Sequence, residues 1–434
     1  MNTSPIPNPE YQIQNRFRPL ELALLLFPFA LAGLGAASLS LQGAGRLAMG
    51  EMWPAAVVIG GGLALHLLLT WRARDADQLI FPLTLTLAVF GLLMVRRMLP
   101  GFGTRQAVWL GLGLLAAGFL TIWPGDLRWL RRYRYSWAAL GLALVALTLI
   151  AGVGPAGTGA RLWLGIGGIG FQPSEPLKVV MVIFLASYLA ERREQIVHAF
   201  VPVGPLRLPP LPYLAPMVVI WAFSLLLLVA QRDLGAALLF FGLFLAMLYM
   251  ATGQVRYVVL GVILFLAGAY GCYLVVPHVQ LRVAIWRNPW ADPQGAAFQV
   301  IQGLIAIASG GLFGQGLGQG MVGFVPLAHS DYILAALGEE WGLAGLLAVF
   351  GLYVLLLARG MRVAMVAEEP FAKLLAAGLA ILLVVQAFVI SGGVLKLLPL
   401  TGVTLPLVSY GGSSLATSFV AVGLLLHVSR SGAS

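Results

Sequence analysis

The sequence contains few charged residues and a single cysteine. Only 10% of its 434 residues are Asp, Glu, Lys or Arg, whereas 60% are hydrophobic. Soluble domains average roughly 25% charged residues, so a soluble protein of this composition could not cover its surface with polar groups. The single cysteine, Cys272, lies within an apolar run, and one cysteine excludes an intramolecular disulfide. The composition therefore excludes an ordinary soluble protein.

Long apolar runs recur from one end of the chain to the other. Runs of about 20 hydrophobic residues are typical of membrane-spanning helices, whereas a transmembrane β-barrel would show alternating segments of about 10 residues. The sequence therefore predicts an all-α, polytopic helical membrane protein with about twelve transmembrane helices. The predicted spans lie near residues 19–41, 53–71, 79–97, 105–123, 135–152, 174–190, 212–230, 235–252, 257–277, 331–358, 372–392 and 405–428.

Basic residues concentrate in short loops between these spans. The net charge is +10, and basic loops on one side lie at 72–77, 126–135, 191–195 and 358–362. The positive-inside rule assigns that side to the cytoplasm, which accounts for the charge, so no nucleic-acid partner is expected. The polar N-terminal tail shows no signal-peptide cleavage site, and both termini are predicted to lie inside. The tripeptide RRM at 96–98 falls on the predicted outer side and breaks the pattern.

Three segments on the predicted outer side are longer than tight loops. They cover residues 154–176, 277–330 and 395–414. Long loops between spans are usually functional or disordered, and the apolar core of the longest one argues against disorder. We expect it to fold back onto the membrane face as a short amphipathic or re-entrant helix.

Ionisable residues within spans cost a few kcal/mol each, so they mark sites unless they pair. Glu175 and Lys178 are three residues apart and share a helix face; their pairing fits either a buried salt bridge or a site. Asp233 fits either a site or the N-cap of the following helix. Glu339 and Glu340 fall inside the tenth span, where at least one is expected to be a hydrogen-bonded anchor.

Asp331 begins the tenth span and lies at its predicted outer boundary. It fits two interpretations, a helix N-cap, which Ser330 could supply equally well, or a general base at the mouth of an apolar cavity with a raised pKa. His329 is a candidate partner of its carboxylate. The residues alone leave both interpretations open. No metal-ligating cluster and no Walker A or GxSxG motif appears.

Five motifs occur in order along the chain. They are TGARLWLGIGGIGFQPSEPLK (158–178), QRDLG (231–235), NPWADPQGAAFQ (288–299), VPLAHSDYILAALGEEWGLAG (325–345) and LPLTGVTLPLVSYGGSS (398–414). Together they resemble the motifs of the SEDS family of shape, elongation, division and sporulation proteins, over roughly residues 79 to 430. Leu327 stands where the family has glutamate and Arg232 where it has proline, and neither change affects the proposed base.

The resemblance implies the SEDS fold, with a large outer loop between spans 9 and 10. Family members usually have ten spans, so residues 1–75 are expected to form a cytoplasmic tail and two extra spans, and residues 76–434 the glycosyltransferase membrane domain. All five motifs lie beyond residue 150. The extra pair is therefore predicted to be dispensable for the chemistry.

The resemblance further implies an inverting peptidoglycan glycosyltransferase that polymerises lipid II, in cell elongation or division. Asp331 would be the catalytic base, and Arg161, Lys178 and Lys396 are candidates to stabilise the pyrophosphate. No cofactor is indicated as required, although a divalent cation, Mg²⁺ or Mn²⁺, is a candidate to share that role. The expected substrate-binding residues are Arg161, Trp163, Glu175, Lys178, Asp233, His329, Glu339, Lys396, Ser409 and Ser413.

The implied partners are lipid II, the glycan linked to undecaprenyl pyrophosphate, a class B penicillin-binding protein that acts as transpeptidase, and other membrane proteins of the elongation or division machinery. The implied location is the bacterial cytoplasmic membrane, with the active site facing outward. Two other functions remain open, a lipid II flippase and a scaffold for a transpeptidase. A flippase needs charges near mid-membrane, whereas the motifs here gather on one face.

Overall fold

The structure, a computed structural model, describes residues 18–154, 161–166, 169–198, 201–203, 206–208 and 211–431. Most of the predicted N-terminal tail lies outside the described residues. Fifteen α-helices are present in the described part of the chain. They are α1 (Pro19–Ala44), α2 (Trp53–Arg72), α3 (Ile80–Met98), α4 (Pro100–Ile122), α5 (Arg128–Arg132), α6 (Arg134–Ala151), α7 (Ser174–His198), α8 (Leu211–Ala230), α9 (Leu234–Thr252), α10 (Val255–Val275), α11 (Pro277–Arg287), α12 (Phe298–Gly310), α13 (Ile333–Val366), α14 (Pro370–Val394) and α15 (Gly412–Ser431).

Eleven of these helices are long and apolar enough to cross a membrane, which confirms the polytopic helical class. Helix α7, where the sixth span was predicted, has 25 residues but carries Glu175 and Lys178 in its first turns, and it is not among the eleven. The predicted number of twelve spans is therefore not confirmed.

Consecutive long helices alternate in direction, so the bundle has two faces. We call the end at which α3 and α6 finish and α4, α7 and α13 begin the Asp331 face, and the other end the basic face. The predicted basic loops at 72–77 and 126–135 lie on the basic face. Residues 191–195 and 358–362, also predicted as loops, belong to the C-terminal parts of α7 and α13, which end at the same face.

The most buried of the eleven membrane-crossing helices are α3, α14, α15 and α9. In the most apolar stretch of α3, 89% of the residues are buried by other parts of the protein, compared with none in α10. Since a span hydrophobic on all sides is buried by its neighbours or by lipid, α3 is a core helix and α10 a peripheral one. Helix α10 contacts the bundle mainly through α9, which leaves room for a groove beside it.

The long segment between α10 and α13 folds back onto the bundle, as expected. Helix α11 follows α10 directly, and α12 packs against α13. Two short antiparallel hairpins were not predicted. One pairs β1 (Leu164–Ile166) with β2 (Ile169–Phe171), and the other pairs β3 (Val201–Val203) with β4 (Leu206–Leu208).

Candidate active site

Asp331 lies in a turn between the long loop and α13. The amides of Ser330 and Tyr332 donate to the carbonyl oxygen of Leu327 at 3.0 and 3.3 Å, and Leu327 has a φ of 54°. Helix α13 begins at Ile333, and no side chain caps its N-terminus. The N-cap interpretation of Asp331 is therefore wrong, and its carboxylate is not committed to the helix.

The segment that follows α14 holds this turn in place. The amide of Tyr410 donates to the carbonyl oxygen of His329 at 2.8 Å. The hydroxyl of Ser409 donates to the carbonyl oxygen of Ser330 at 2.6 Å and accepts from the amide of Leu405 at 2.9 Å. Ser409, predicted to bind substrate, thus braces the chain on the N-terminal side of Asp331.

A cation that the sequence analysis missed lies beside Asp331. A Cβ atom built on Gly402 would be 3.8 Å from both Nη2 of Arg282 and Oδ2 of Asp331, so the two charged groups lie within twice that distance of each other. Arg282 is held by Nη1, which donates to the carbonyl oxygens of Leu400 and Thr401 at 2.7 and 3.3 Å. Its only sequence signal is an arginine a few residues before the NPWADP motif.

The surroundings of Asp331 favour a base that works near neutral pH. Burial raises the pKa of Asp331 to about 7, the negative charge of Asp233 acts in the same direction, and a hydrogen bond from Ser330 and the charge of Arg282 act against it. Burial also lowers the pKa of Arg282, against the opposing charges of both aspartates. A carboxylate with a pKa close to the working pH can accept a proton efficiently.

Glu175 and Lys178 pair as predicted. Nζ of Lys178 lies 2.7 Å from Oε2 of Glu175, and both side chains are buried. The same ammonium donates to Oε1 of Gln386 at 2.8 Å, and Nε2 of Gln386 donates to the carbonyl oxygen of Thr404 at 2.8 Å. The pair therefore connects α7 to α14 and to the segment that carries Gly402.

A small polar cavity separates this pair from Asp331. Its volume is about 20 Å³, and its walls include Glu175, Lys178, Asp233 and Gly402. A cavity of this size has room for one water molecule. Asp233 accepts the amide of Ala236 at 3.0 Å and caps α9, which confirms the capping interpretation. Gly402 lines the cavity and also lies next to Asp331, so it separates the Glu175–Lys178 pair from the Asp331 carboxylate.

An apolar groove opens beside Arg282. It lies among α8, α9 and α10, has a volume of about 730 Å³, and is lined almost entirely by hydrophobic side chains. Arg282 and residues 398–401 form its end at the Asp331 face. A long apolar groove with one cation at its mouth fits an amphiphile with an anionic head group.

Lys396 lies near Arg282. Both line a further cavity of about 50 Å³ with Trp286. The indole Nε1 of Trp286 donates to the carbonyl oxygen of Lys396 at 3.1 Å, and Lys396 has a φ of 59°. The structure thus brings Lys396 to the same side of the site as Arg282, as a pyrophosphate contact requires.

Arg161 and Trp163 lie in the segment between α6 and α7. Arg161 is exposed, and its Nη1 donates to the carbonyl oxygens of Leu149 and Ile150 at 3.2 Å each, at the C-terminal end of α6. Trp163 forms a backbone bridge with Val153. No contact described by the structure joins either residue to Asp331, and their binding of substrate stays a prediction.

The side chains of His329 and Ser413, both predicted to bind substrate, contact other parts of the protein. The ring of His329 packs edge-on against Phe102, with centroids 5.2 Å apart, and burial lowers its pKa. The hydroxyl of Ser413 accepts the amide of Gln172 at 3.0 Å. These contacts indicate scaffolding, and the substrate contacts of both residues stay predictions.

Helix α13 is interrupted at Gly342. Residues 311–321, which we call the glycine loop, pack against this break. Gly342 has a φ of 66° and a ψ of −168°, and a Cβ there would overlap the backbone of the glycine loop. Two loop amides donate to the carbonyl oxygens of Glu339 and Glu340 at 2.9 and 3.0 Å. The GEEWG motif (338–342) therefore forms the surface to which the glycine loop binds.

The two glutamate carboxylates also hold the glycine loop. Oε1 of Glu339 accepts the amide of Met321 at 2.7 Å, and Oε2 of Glu340 accepts the amide of Gly318 at 2.9 Å. Nε of Arg97 lies 3.3 Å from Oε1 of Glu340, which explains one of the arginines that break the charge pattern. The anchoring interpretation is confirmed for both glutamates, and a substrate contact of Glu339 stays a prediction.

The donor set at this site does not fit a resident divalent cation. Among the described residues, no three His, Cys, Asp or Glu side chains converge as a metal site. The positive charge of Arg282 lies beside Asp331 and Asp233, and it opposes the binding of a divalent cation, which takes carboxylate oxygens as ligands. The involvement of Mg²⁺ or Mn²⁺ stays a prediction.

Comparison with known proteins identifies relatives along most of the chain. A family model described as FtsW/RodA/SpoVE, cell cycle protein, matches residues 77–433. The peptidoglycan glycosyltransferase RodA of Mycobacterium tuberculosis is 37% identical over 376 residues, which cover 84% of this chain and 80% of that protein. The probable peptidoglycan glycosyltransferase FtsW of Geobacter metallireducens is 37% identical over 366 residues, 81% of this chain and 94% of that protein.

A similar fold occurs among solved structures. One chain comes from a study of the structural coordination of polymerization and crosslinking by a peptidoglycan synthase complex. It superposes with a TM-score of 0.69 at 30% identity, covering 82% of this chain and 98% of that one.

Proposed function

Because the chain belongs to the FtsW/RodA/SpoVE family of cell cycle proteins, we propose that it is a peptidoglycan glycosyltransferase that polymerises lipid II, with Asp331 as its general base. The observation that carries the proposal is the position of Asp331. Its carboxylate does not cap α13, has a pKa of about 7, and lies beside Arg282 at the end of an apolar groove. Relatives that match more than 80% of this chain carry the same activity in their names.

The groove and its cation suit a polyprenyl-linked substrate. The apolar walls among α8, α9 and α10 would take part of the polyprenyl chain, because burying apolar surface contributes about 25 cal/mol per Å². The pyrophosphate would then lie at the Asp331 face, where Arg282 and Lys396 supply positive charge. Charge-assisted hydrogen bonds from arginine suit phosphate oxygens.

In the proposed reaction, Asp331 accepts the proton of a sugar hydroxyl on the acceptor, lipid II. The hydroxyl oxygen forms a bond to the anomeric carbon of the donor glycan, and the bond from that carbon to the pyrophosphate breaks. The pyrophosphate leaves with both bonding electrons, and Arg282 stabilises its charge. Attack opposite the leaving group converts an α-linked pyrophosphate into a β-linkage, so the reaction inverts the anomeric centre. The proton and the undecaprenyl pyrophosphate leave as products.

The proposed orientation places the Asp331 face outside the cytoplasmic membrane and both termini inside. The basic face carries the arginine-rich loops, which the positive-inside rule assigns to the cytoplasm. We further propose a transpeptidase partner, a class B penicillin-binding protein, together with other membrane proteins of cell elongation or division. The solved relative from a complex that couples polymerization to crosslinking supports this partnership.

The proposal predicts that the purified chain, with its transpeptidase partner, converts lipid II into glycan strands and does so faster at higher pH. A base with a pKa of about 7 is mostly protonated at low pH, so kcat/KM should rise about tenfold from pH 6 to pH 8. Strand length would be read on gels, with the melting temperature recorded at each pH to exclude unfolding. Lipid II crossing a vesicle membrane without strand formation would support the flippase instead. Strands formed at a pH-independent rate would contradict the base assignment.

The variant Arg282→Met is expected to lower kcat/KM on the order of 10²-fold, because the leaving pyrophosphate loses its nearest cation. Arg287→Met is the matched control, since Arg287 is an exposed arginine in the last turn of the same helix, α11. Initial rates with lipid II and melting temperatures would be measured for both. Equal rates in the two variants would remove Arg282 from the site.

A further inference from the structure

The two extra helices, α1 and α2, are fastened to the rest of the protein at the basic face. Nη2 of Arg18 lies 2.5 Å from Oε2 of Glu21, and Nδ1 of His66 lies 2.7 Å from Oε1 of the same carboxylate. All three side chains are buried. Arg18 also donates to the carbonyl oxygens of Ala73 and Ala76, at 2.9 and 2.7 Å, in the connection to α3. The pair therefore has a defined position on the bundle.

The same pair also reaches the Asp331 face. Nε2 of Gln42, near the end of α1, donates to the carbonyl oxygen of Leu317 in the glycine loop at 2.9 Å. A Cβ on Gly318, whose φ is 84°, would overlap the Gln42 amide. Nearby, Oε2 of Glu51 lies 3.7 Å from Nη2 of Arg96. The extra pair and its connection therefore supply a partner to the loop and a counter-charge to Arg96, the first arginine of the RRM tripeptide at 96–98.

The glycine loop leads directly to Asp331. Between Met321 and Asp331 the backbone forms only single turns, such as those from Phe324 to Met321 and from Ala328 to Val325. The side chains of Val322, Val325 and Ala328 in this stretch are buried in the hydrophobic core. Because packed side chains carry a displacement from one segment to the next, a shift of the loop is transmitted to the turn that carries the base, which is braced on its other side by Ser409.

We propose that Gln42 is a positioning residue for the reaction, because its hydrogen bond to Leu317 adds to the bonds with Glu339 and Glu340 that hold the glycine loop and, through the loop, the turn of Asp331. The inference rests on the proposed role of Asp331 as base. Under this proposal, α1 and α2 affect the reaction indirectly, whereas the position of the motifs alone predicts that the two helices are dispensable for it. The pair tunes the rate and contributes no group to the substrate.

The test uses the full-length protein carrying Gln42→Ala or the nearly isosteric Gln42→Glu, whose carboxylate cannot donate to Leu317. In both, kcat for lipid II polymerisation should fall roughly fivefold with KM unchanged, since small misplacements of a catalytic group slow the chemical step. Backbone amides of residues 314–321 and 325–331 should exchange with deuterium faster. The melting temperature should stay at the unmodified value.

Gln78→Ala is the matched control, because Oε1 of Gln78 accepts the amide of Glu21 and joins α1 to the bundle at the basic face. It should leave kcat and the exchange of 325–331 unchanged. The proposal is overturned if both Gln42 variants keep the unmodified kcat, if exchange at 325–331 does not change, or if Gln78→Ala lowers kcat equally. Exchange is measured without turnover, so it tests the positioning even if the enzyme polymerises nothing.

Discussion

Asp331→Asn is expected to abolish glycan polymerisation, with a loss of about 10²- to 10⁴-fold, in a protein that folds and inserts normally. Asparagine keeps the size of the side chain but cannot accept the proton of the acceptor hydroxyl. Folding should survive because the carboxylate does not cap α13 and the turn is held by backbone bonds to Leu327 and Tyr410. Strand formation from lipid II would be measured at pH 8, where the native base is ionised.

Asp126→Asn is the control for this substitution. Asp126 lies at the basic face in an exposed ion pair with Arg128, and exposed pairs of this kind contribute little. Its activity should equal that of the unmodified protein. Long glycan strands made by the Asp331→Asn protein would show that another group is the base, whereas a lowered melting temperature would point to a structural role.

The sequence predicted the elements that depend on local composition. Apolar runs of about 20 residues located the long helices to within several residues, because each span must bury its own backbone polar groups in a helix. The three-residue spacing of Glu175 and Lys178 predicted their pair, and a short turn before an apolar run predicted the N-cap of Asp233. Each of these follows from a few neighbouring residues.

The features that the sequence did not predict depend on contacts between distant segments. The break at Gly342 exists because the glycine loop inserts there, and periodicity alone shows an uninterrupted helix. Residues 400–402 orient Arg282 toward Asp331. The guanidinium donates to the carbonyl oxygen of Leu400, and Gly402 lies next to both charged groups. The arginines at 96–98 contradict the positive-inside rule until Glu340 and Glu51 are found beside them.

The pairing of Glu175 with Lys178 now separates into two questions, stability and catalysis. Both side chains are buried, and Lys178 also donates to Gln386. Removing one partner of a buried pair leaves an uncompensated charge and costs about 3–5 kcal/mol, whereas replacing both with groups of similar volume is often neutral. The small cavity that Lys178 lines extends to Gly402, which lies next to Asp331. The predicted contact of Lys178 with substrate can therefore be tested.

Glu175→Gln and Lys178→Met are each expected to destabilise the protein by about 3–5 kcal/mol, and the double variant should recover most of that loss. Thermal unfolding of the four proteins in one detergent forms a double-mutant cycle, in which the interaction is measured by how far the stability loss of the double variant falls below the sum of the two single losses. Polymerisation by the double variant then decides the second question. If Lys178 stabilises the pyrophosphate, the double variant regains stability but stays inactive, because methionine supplies no charge. If activity returns with stability, the pair is purely structural. Additive losses of stability would show that the two side chains do not interact, against the 2.7 Å separation of their charged atoms.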